Sequence, residues 1–341
     1  MTNGDQGLLD EKKRLLSDLC RSYGGACELR ETHMSFVFLG AERAYKLKKP
    51  VHYPFLDFSS VALRHYFCLE ELRLNRRLAE RTYLAVLPIC RVADGRLGVG
   101  NGKEAIDWVV EMLRLSDHDM LDHRMLTASV ERHDIETIAL RLSRFYASLA
   151  PEPVAGSQVV AHLSHQLDID TEVLCREEFG LAALVSPLLV TAREELSACR
   201  GEIYRRTETG WFREGHGDLR PEHVWLGRPQ QIIDCLEFNR MMRIVDPYEE
   251  IAQLGMECCA ASHPWISPLL RKTMAADLGG EPSERLTRFY TASKALRRAR
   301  LCMAHLLEKE PRTPSKWRPL ALNYIEFAGM GFRDPQPTSI R

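Results

Sequence analysis

Residues 216–226 read His-Gly-Asp-Leu-Arg-Pro-Glu-His-Val-Trp-Leu, and after a short polar turn residues 232–239 read Ile-Ile-Asp-Cys-Leu-Glu-Phe-Asn. Two short apolar runs, Val224-Trp225-Leu226 and Ile232-Ile233, flank a Gly-Arg-Pro turn, so the segment predicts a hairpin. Asp218 then stands just before the first strand and Asp234 just after the second. The two carboxylates fall at one end of the hairpin, about 5–10 Å apart given the spacing of neighbouring strands. His223 follows Asp218 by five positions. His216, whose ring can bond the backbone, is read as holding the turn. Carboxylates so placed suit phosphoryl transfer, where one accepts or orients a hydroxyl proton and the other holds Mg²⁺ on the phosphates.

Composition narrows the class. The chain has 341 residues, 45% hydrophobic and 27% charged, with a net charge of −1. Such a chain can bury one large or two modest cores. It has no general field to draw nucleic acid or an acidic membrane, and the basic clusters Arg76-Arg77 and Arg297-Arg298-Ala299-Arg300 fall on helical patterns as solvated faces. The ten cysteines show no C-x-x-C and no zinc spacing. His162 and His165 lie three apart on one helix face without a third ligand, so no zinc site is expected there. The first residues are too charged for a secretory signal, and no apolar run approaches the roughly 20 residues a membrane span needs. A cytoplasmic location with reduced thiols follows as the expectation. The partner implied is a small molecule; nothing in the sequence bears on oligomeric state.

Upstream of the hairpin, residues 5–23 predict an amphipathic helix stopped by Gly24-Gly25. Five β-like runs follow, at 26–30, 34–39, 43–48, 85–90 and 105–113, the last two separated by an Asp94-Gly95 turn signal. A helix at about 61–79, capped by Ser59 or Ser60, lies among them. It offers Glu70 and Glu71. Strand alternation puts Ala44, Lys46 and Lys48 on one face; a basic, solvent-exposed edge strand is the competing account of those lysines. Beyond residue 116 the pattern is helical, with spans at 127–149 and 165–205, an interruption at Pro187, and a helical tail at 282–332 broken near 308–316. Asp246 opens a further helix, as its cap or as a brace for the 216 turn. The fold class is α+β: a small antiparallel sheet lobe, residues 1–113, and a larger mainly helical lobe, residues 114–341.

The pattern His-x-Asp, then an apolar-Asp pair about eleven residues after His223, resembles the protein-kinase-like superfamily, and its His-Gly-Asp form resembles the aminoglycoside phosphotransferase branch. The local text is similar to a bacterial group in that branch, marked by His-Gly-Asp-Leu, by Asp-Cys-x-Glu-Phe-Asn and by an early Tyr-Lys-Leu-Lys-Lys-Pro, here residues 45–50. The resemblance covers about residues 27–260 and resides in the combination. It implies a two-lobed kinase-like fold and transfer of the ATP γ-phosphate to a hydroxyl of an unidentified small molecule. It implies Asp218 as base or orienting group, Asp234 as the main ligand of Mg²⁺, and Lys46, with Lys48 as runner-up, on the α/β-phosphates. Glu71 would partner that lysine. Val109–Met112 would be the hinge, with the backbone of Val110 and Met112 on the adenine edge. The Gly-x-x-x-x-Gly-Lys-[Ser/Thr] loop of an ATPase domain sometimes fused to this group is absent from these residues, which makes the resemblance one to a stand-alone member.

The chain departs from the family at four points. His223 stands where the family has Asn, and three readings are open. It could ligate a softer metal such as Mn²⁺, since Mg²⁺ prefers oxygen. It could orient Asp218 and leave one metal to Asp234. Or the chain could be a non-catalytic nucleotide-binding module that works through a partner. Arg220 replaces a His and could meet a phosphate or Glu222, or stand as an exposed long cation. The turn at Glu31-Thr32-His33, where a kinase covers the phosphates, has no glycine, so either Thr32 or Ser35 hydroxyls substitute or the turn is a plain hairpin. Glu250 replaces the second Asp of Asp-x-x-x-Asp-Leu-Ala. Retention of Lys46, Asp218 and Asp234 together argues for catalysis.

Overall fold

The computed structural model describes residues 3–100, 104–308, 311 and 313–332. The chain opens with α1 (Asn3–Arg21), whose apolar stripe packs Leu16 and Cys20 against one face of the sheet that follows. Gly24 and Gly25, both at positive φ, turn the chain out of it. Then come β1 (Glu28–Glu31), β2 (Ser35–Leu39) and β3 (Arg43–Lys48), and a two-rung hairpin, β4 (His52–Tyr53) with β5 (Leu56–Asp57). Next is α2 (Val61–Asn75), capped by Ser60, whose Oγ accepts the Leu63 N–H at 3.1 Å. Strands β6 (Tyr83–Arg91), β7 (Leu97–Val99) and β8 (Ala105–Leu113) complete a six-stranded antiparallel sheet in the order β1-β2-β3-β8-β6-β7.

Five strands were expected; the sixth is β7. The Asp94-Gly95 turn folds β6 back onto Leu97–Val99 rather than onto β8, and β8 is inserted between β3 and β6. Alternation gives the sheet two apolar faces. Tyr45, Leu47 and Val109 face the α1 side, while Ala44, Val110 and Met112 pack with Cys68 and Ile233 on the other.

After α3 (Leu121–Leu126), Ala128 takes a positive φ of 50°, so the helix expected from 127 begins only at α4 (Arg132–Ser148). It is followed by α5 (Gly156–Leu174) and α6 (Ala182–Glu208). Pro187 lies inside α6 and does not interrupt it. One backbone bond is forfeited, while Val185, Leu189, Ala192, Leu196, Cys199 and Ile203 keep a continuous buried stripe. Two short strands, β9 (Arg213–Glu214) and, later, β12 (Ile244–Val245), pair antiparallel. Between them in sequence, β10 (Val224–Trp225) and β11 (Gln231–Ile232) form the expected hairpin, with Val224 opposite Ile232. Four helices follow: α7 (Pro247–Ala260), α8 (Ile266–Leu278), α9 (Glu284–Ala304) and α10 (Pro314–Phe332).

These elements make two compact units. One comprises the described residues up to 127 together with 222–242, the other residues 128–221 together with the described residues from 243 onward. The second unit's core is formed by α5, α6, α9 and α10, around Ile203, Phe289, Leu296 and Tyr324. All ten cysteines are free thiols. No described helix is long and apolar enough to cross a membrane.

Candidate active site

Lys46 and Lys48 leave β3 on the same face and meet the same buried glutamate. Glu71, fully buried on α2, pairs through Oε1 with Lys46 Nζ at 2.8 Å and through Oε2 with Lys48 Nζ at 2.6 Å. Lys48 also pairs with Glu237, and Lys46 with Asp234 Oδ1 at 2.7 Å. The five side chains form a closed ring of alternating charge, Asp234–Lys46–Glu71–Lys48–Glu237, completed by the backbone from 234 to 237. Burial opposes the charge on Lys46, yet Asp234 and Glu71 outweigh it and hold the ammonium well above its ordinary range. Burial likewise raises the Glu71 carboxyl, and Lys46 with Lys48 outweigh that and bring it below the usual value. Lys46, Lys48 and Glu71 keep their charges because each meets two groups of opposite sign; stripping one partner from such a buried pair costs about 3–5 kcal/mol.

The ring is closed inside and open at one end. Lys48 and Glu71 side chains are 0% exposed, Lys46 13% and Asp234 46%. Asp234 sits at φ 60°, an uncommon conformation for a non-glycine residue. Its loop is pinned by bonds the sequence did not announce: the Asp234 N–H donates to Tyr83 Oη at 3.1 Å, and the Cys235 N–H to Asn75 Oδ1 at 2.9 Å. Asn75 also donates to the backbone carbonyl of Glu71 at 2.9 Å, so one side chain ties the glutamate's helix to the aspartate's loop. His223, buried after β10's leading turn, has Nε2 3.6 Å from Asp234 Oδ2, and its carbonyl accepts the Ile233 N–H at 2.9 Å. His223 thus stands beside the carboxylate proposed for metal. Three carboxylates face two lysines in the ring, leaving one negative charge at the Asp234 end. With a carboxylate and an imidazole as donors, the site fits a divalent cation: oxygen suits Mg²⁺, and the nitrogen suits Mn²⁺ better.

Asp218 belongs to the helical unit, on a loop read off by α7. Gly217 has φ 90°, which glycine adopts without strain and which makes the sharp turn. His216 is fully buried, and its Nδ1 accepts the Asp218 N–H at 3.3 Å, a bond within the turn itself. Glu250 accepts the N–H groups of His216, at 2.9 Å, and of Gly217, and the Tyr146 hydroxyl at 2.5 Å. Gln253 donates its amide to Asp218 Oδ1 at 3.0 Å. Arg220 Nη1 lies 3.8 Å from Asp218 Oδ2, and its Nε 3.8 Å from Glu257 Oε1. Glu257 in turn pairs with Arg298 at 2.5 Å and accepts the Tyr324 hydroxyl. Positions 250, 253 and 257 share one helix face, so successive turns of α7 meet residues 216–217, 218 and 220. Asp246 caps α7, accepting the Tyr248 N–H at 3.0 Å, and pairs with Arg206. The brace for the loop is Glu250.

One expectation changes, and one of two open readings is favoured. Val110 and Met112 lie opposite Lys46 and Ala44 on one side and opposite Val86 and Tyr83 on the other. Their backbone is committed to the ladder of a central strand, so it is not an open edge for adenine; their side chains share the Lys46 face instead. Thr32 Oγ1 accepts the Ser35 N–H at 2.9 Å and Ser35 is buried, so these hydroxyls close and pack the turn. The residues the sequence reading missed, Glu237, Tyr83 and Gln253, had one legible signal. Two lysines on one buried face require more than one carboxylate, and Glu237 stands three residues after Asp234.

No family model matches this chain. Three curated proteins, one from Mycobacterium bovis and two from strains of Mycobacterium tuberculosis, are 27% identical over 300 residues, covering 83% of this chain and 56% of each relative. Each bears only the name uncharacterized protein, and the chain spans about half their length. Among solved structures, a choline/ethanolamine kinase family protein from Mesorhizobium loti matches with a TM-score of 0.57 at 14% identity, over 96% of this chain and 95% of that one. A thermostable mutant of the aminoglycoside phosphotransferase APH(4)-Ia gives 0.53 at 12% identity, over 93% and 98%. Plasmodium vivax ethanolamine kinase gives 0.51 at 8%, over 89% and 81%. At these identities the likeness is one of fold. The chain has the protein-kinase-like fold, an antiparallel sheet with a larger helical part.

Proposed function

We propose that this chain is an ATP-dependent phosphotransferase that moves the γ-phosphate to a hydroxyl of a small molecule. The observation that carries the reading is the Asp234–Lys46–Glu71 chain of ion pairs, assembled from residues up to 188 positions apart on the face shared with Val110 and Met112. A kinase site needs that set: a lysine for the phosphates, a glutamate to hold it, and a carboxylate for the metal. Lys46, at the open end of the ring, would leave Asp234 and donate to the α/β-phosphates. Ala44, Val110 and Met112 would offer an apolar floor to the base, in a nucleotide-binding lobe ending near residue 113. Asp218, held by Gln253, would accept or orient the proton of the acceptor hydroxyl, which must come within hydrogen-bond reach. Asp234, with His223 beside it, would hold Mg²⁺ or Mn²⁺, which when bound neutralises charge on the transferring phosphates.

A non-catalytic nucleotide-binding module is the second reading. It is favoured by His223 in place of an oxygen ligand and by a β1–β2 turn whose Thr32 hydroxyl is already used. One experiment separates them: γ-labelled ATP is incubated with the protein and a broad panel of hydroxylated metabolites, in parallel with Mg²⁺ and Mn²⁺, and ATP binding is measured alongside. Label transferred to any acceptor supports the phosphotransferase. ATP binding without transfer across the panel favours the module, and absence of ATP binding overturns both.

A further inference from the structure

The second lysine of the ring is more than a kinase site requires. Lys48 is sealed from solvent and holds the Glu71 oxygen that Lys46 does not, while its other partner, Glu237, sits one short segment beyond Asp234. Of the ring's links, only Lys46–Asp234 lies at the solvent-facing end; Asp234 is 46% exposed, against 0% for Lys48 and 8% for Glu237. A nucleotide arriving there draws Lys46 onto phosphate, and Asp234 is released. Without a second cation, Glu71 would then keep only the departing lysine as partner, and a buried carboxylate cannot tolerate that. We propose that Lys48 and Glu237 are positioning residues: a buried latch that holds Glu71, and through it Lys46, at the phosphate site while the Lys46–Asp234 pair opens.

The inference rests on the nucleotide-binding reading above and adds a division of labour between the two lysines. Lys46 acts on the ligand, and Lys48 acts only through Glu71. Two geometric facts support the division. Both Glu71 oxygens are engaged, one by each lysine, so the carboxylate cannot rotate without breaking a buried pair. The latch also spans β3, α2 and the 234–237 segment, and that segment is fixed to β6 by Tyr83 and to α2 by Asn75 through the backbone N–H groups of Asp234 and Cys235.

The test is binding, which needs no acceptor. Dissociation constants for Mg²⁺·ATP and for adenosine are measured on the full chain for wild type, Lys48→Met, Glu237→Gln, Lys46→Ala and the Lys46→Ala/Lys48→Met pair, each with a thermal melt to establish folding. Lys48→Met and Glu237→Gln are expected to weaken ATP by about 10–100-fold, the worth of one charge-assisted hydrogen bond, and adenosine by less than about threefold. Adding Lys48→Met to Lys46→Ala should change ATP affinity no further. A merely structural lysine would lower the melting temperature and leave both affinities of the folded protein unchanged, which overturns the latch. Additive losses in the double variant overturn it too, because Lys48 would then act on phosphate directly. If Lys48→Met does not fold, Glu237→Gln, which keeps an oxygen facing Lys48, reads the same quantity. Wild type binding neither ATP nor adenosine removes the nucleotide reading itself, a different result from ATP binding that ignores the latch.

Discussion

Gln253, on the second turn of α7, donates its side-chain amide to Oδ1 of Asp218 at 3.0 Å, while Arg220 stands 3.8 Å from Oδ2. A neutral amide fixes the carboxylate's plane without cancelling its charge, which is what an orienting group for a hydroxyl requires. Asp218→Asn should retain ATP binding and lower phosphoryl transfer by about 10²–10⁴-fold, the usual worth of a positioned acid/base group. Gln253→Leu should lower transfer less, by about 10-fold, the worth of one hydrogen bond to a charged group. Loss of ATP affinity by Asp218→Asn with transfer per bound ATP unchanged would contradict the assignment.

Glu250 predicts a stability effect that does not depend on function. Its carboxylate accepts the N–H groups of buried His216 and half-buried Gly217 and the hydroxyl of buried Tyr146. Glu250→Ala leaves buried donors without acceptors and should cost about 2–4 kcal/mol, since each unsatisfied group is worth about 1–3 kcal/mol. Glu250→Gln keeps one acceptor oxygen and should cost less. Urea denaturation of the three proteins decides the matter; identical midpoints would mean that the loop is held by something else.

His223 separates the metal readings. With its Nε2 3.6 Å from Asp234 Oδ2, a shared cation would meet both side chains. If the ring ligates, Mn²⁺ should bind the nucleotide complex more tightly than Mg²⁺, and His223→Asn should reverse that order by restoring an oxygen. If the ring only orients its neighbours, the order stays the same and His223→Asn keeps or raises transfer. Titration of both metals into wild type and variant, with ATP bound, distinguishes the two.

Acid should weaken the sheet unit through Glu71. Burial raises this carboxyl, but Lys46 and Lys48 outweigh it and place it below the ordinary 4.5. The unfolded chain therefore takes the proton more readily. The stabilisation is fully present above pH about 4.5 and is lost as pH falls through the lower folded value. Glu71→Gln should be less stable than wild type near neutrality and lose less on acidification. Denaturation midpoints measured from pH 7 to pH 3 check this, and parallel curves for the two proteins would contradict it.

The elements with strong local signals were legible from residue order alone. The boundaries Arg43–Lys48 and Ala105–Leu113 match the β-like runs read from the sequence, and the β10–β11 hairpin follows from two short apolar runs about a Gly-Arg-Pro turn. The Ser60 cap was legible as one of two candidates. Residue spacing singled out Asp218 and Asp234, and the family resemblance favoured Lys46 and Glu71 over their neighbours; the structure brings Lys46, Glu71 and Asp234 together.

The partners were not legible. Alternation puts Lys46 and Lys48 on the same face and cannot say which is sealed. That depends on how α2 lies across β3 and on where the 234–237 segment returns, some 190 residues later. Val110 and Met112 were placed in the right strand, but whether their backbone is open depends on what pairs with each edge. The insertion of β8 between β3 and β6 closed both. Pro187 reads as a break because sequence records the lost hydrogen bond but not the buried stripe that compensates for it. The sequence by itself determined periodicity, turns and the supply of reactive groups, all set within a few residues of the chain. Tertiary structure alone decided which charges meet and which are sealed from water, because an ion pair's strength depends on burial and on distances between segments far apart in sequence.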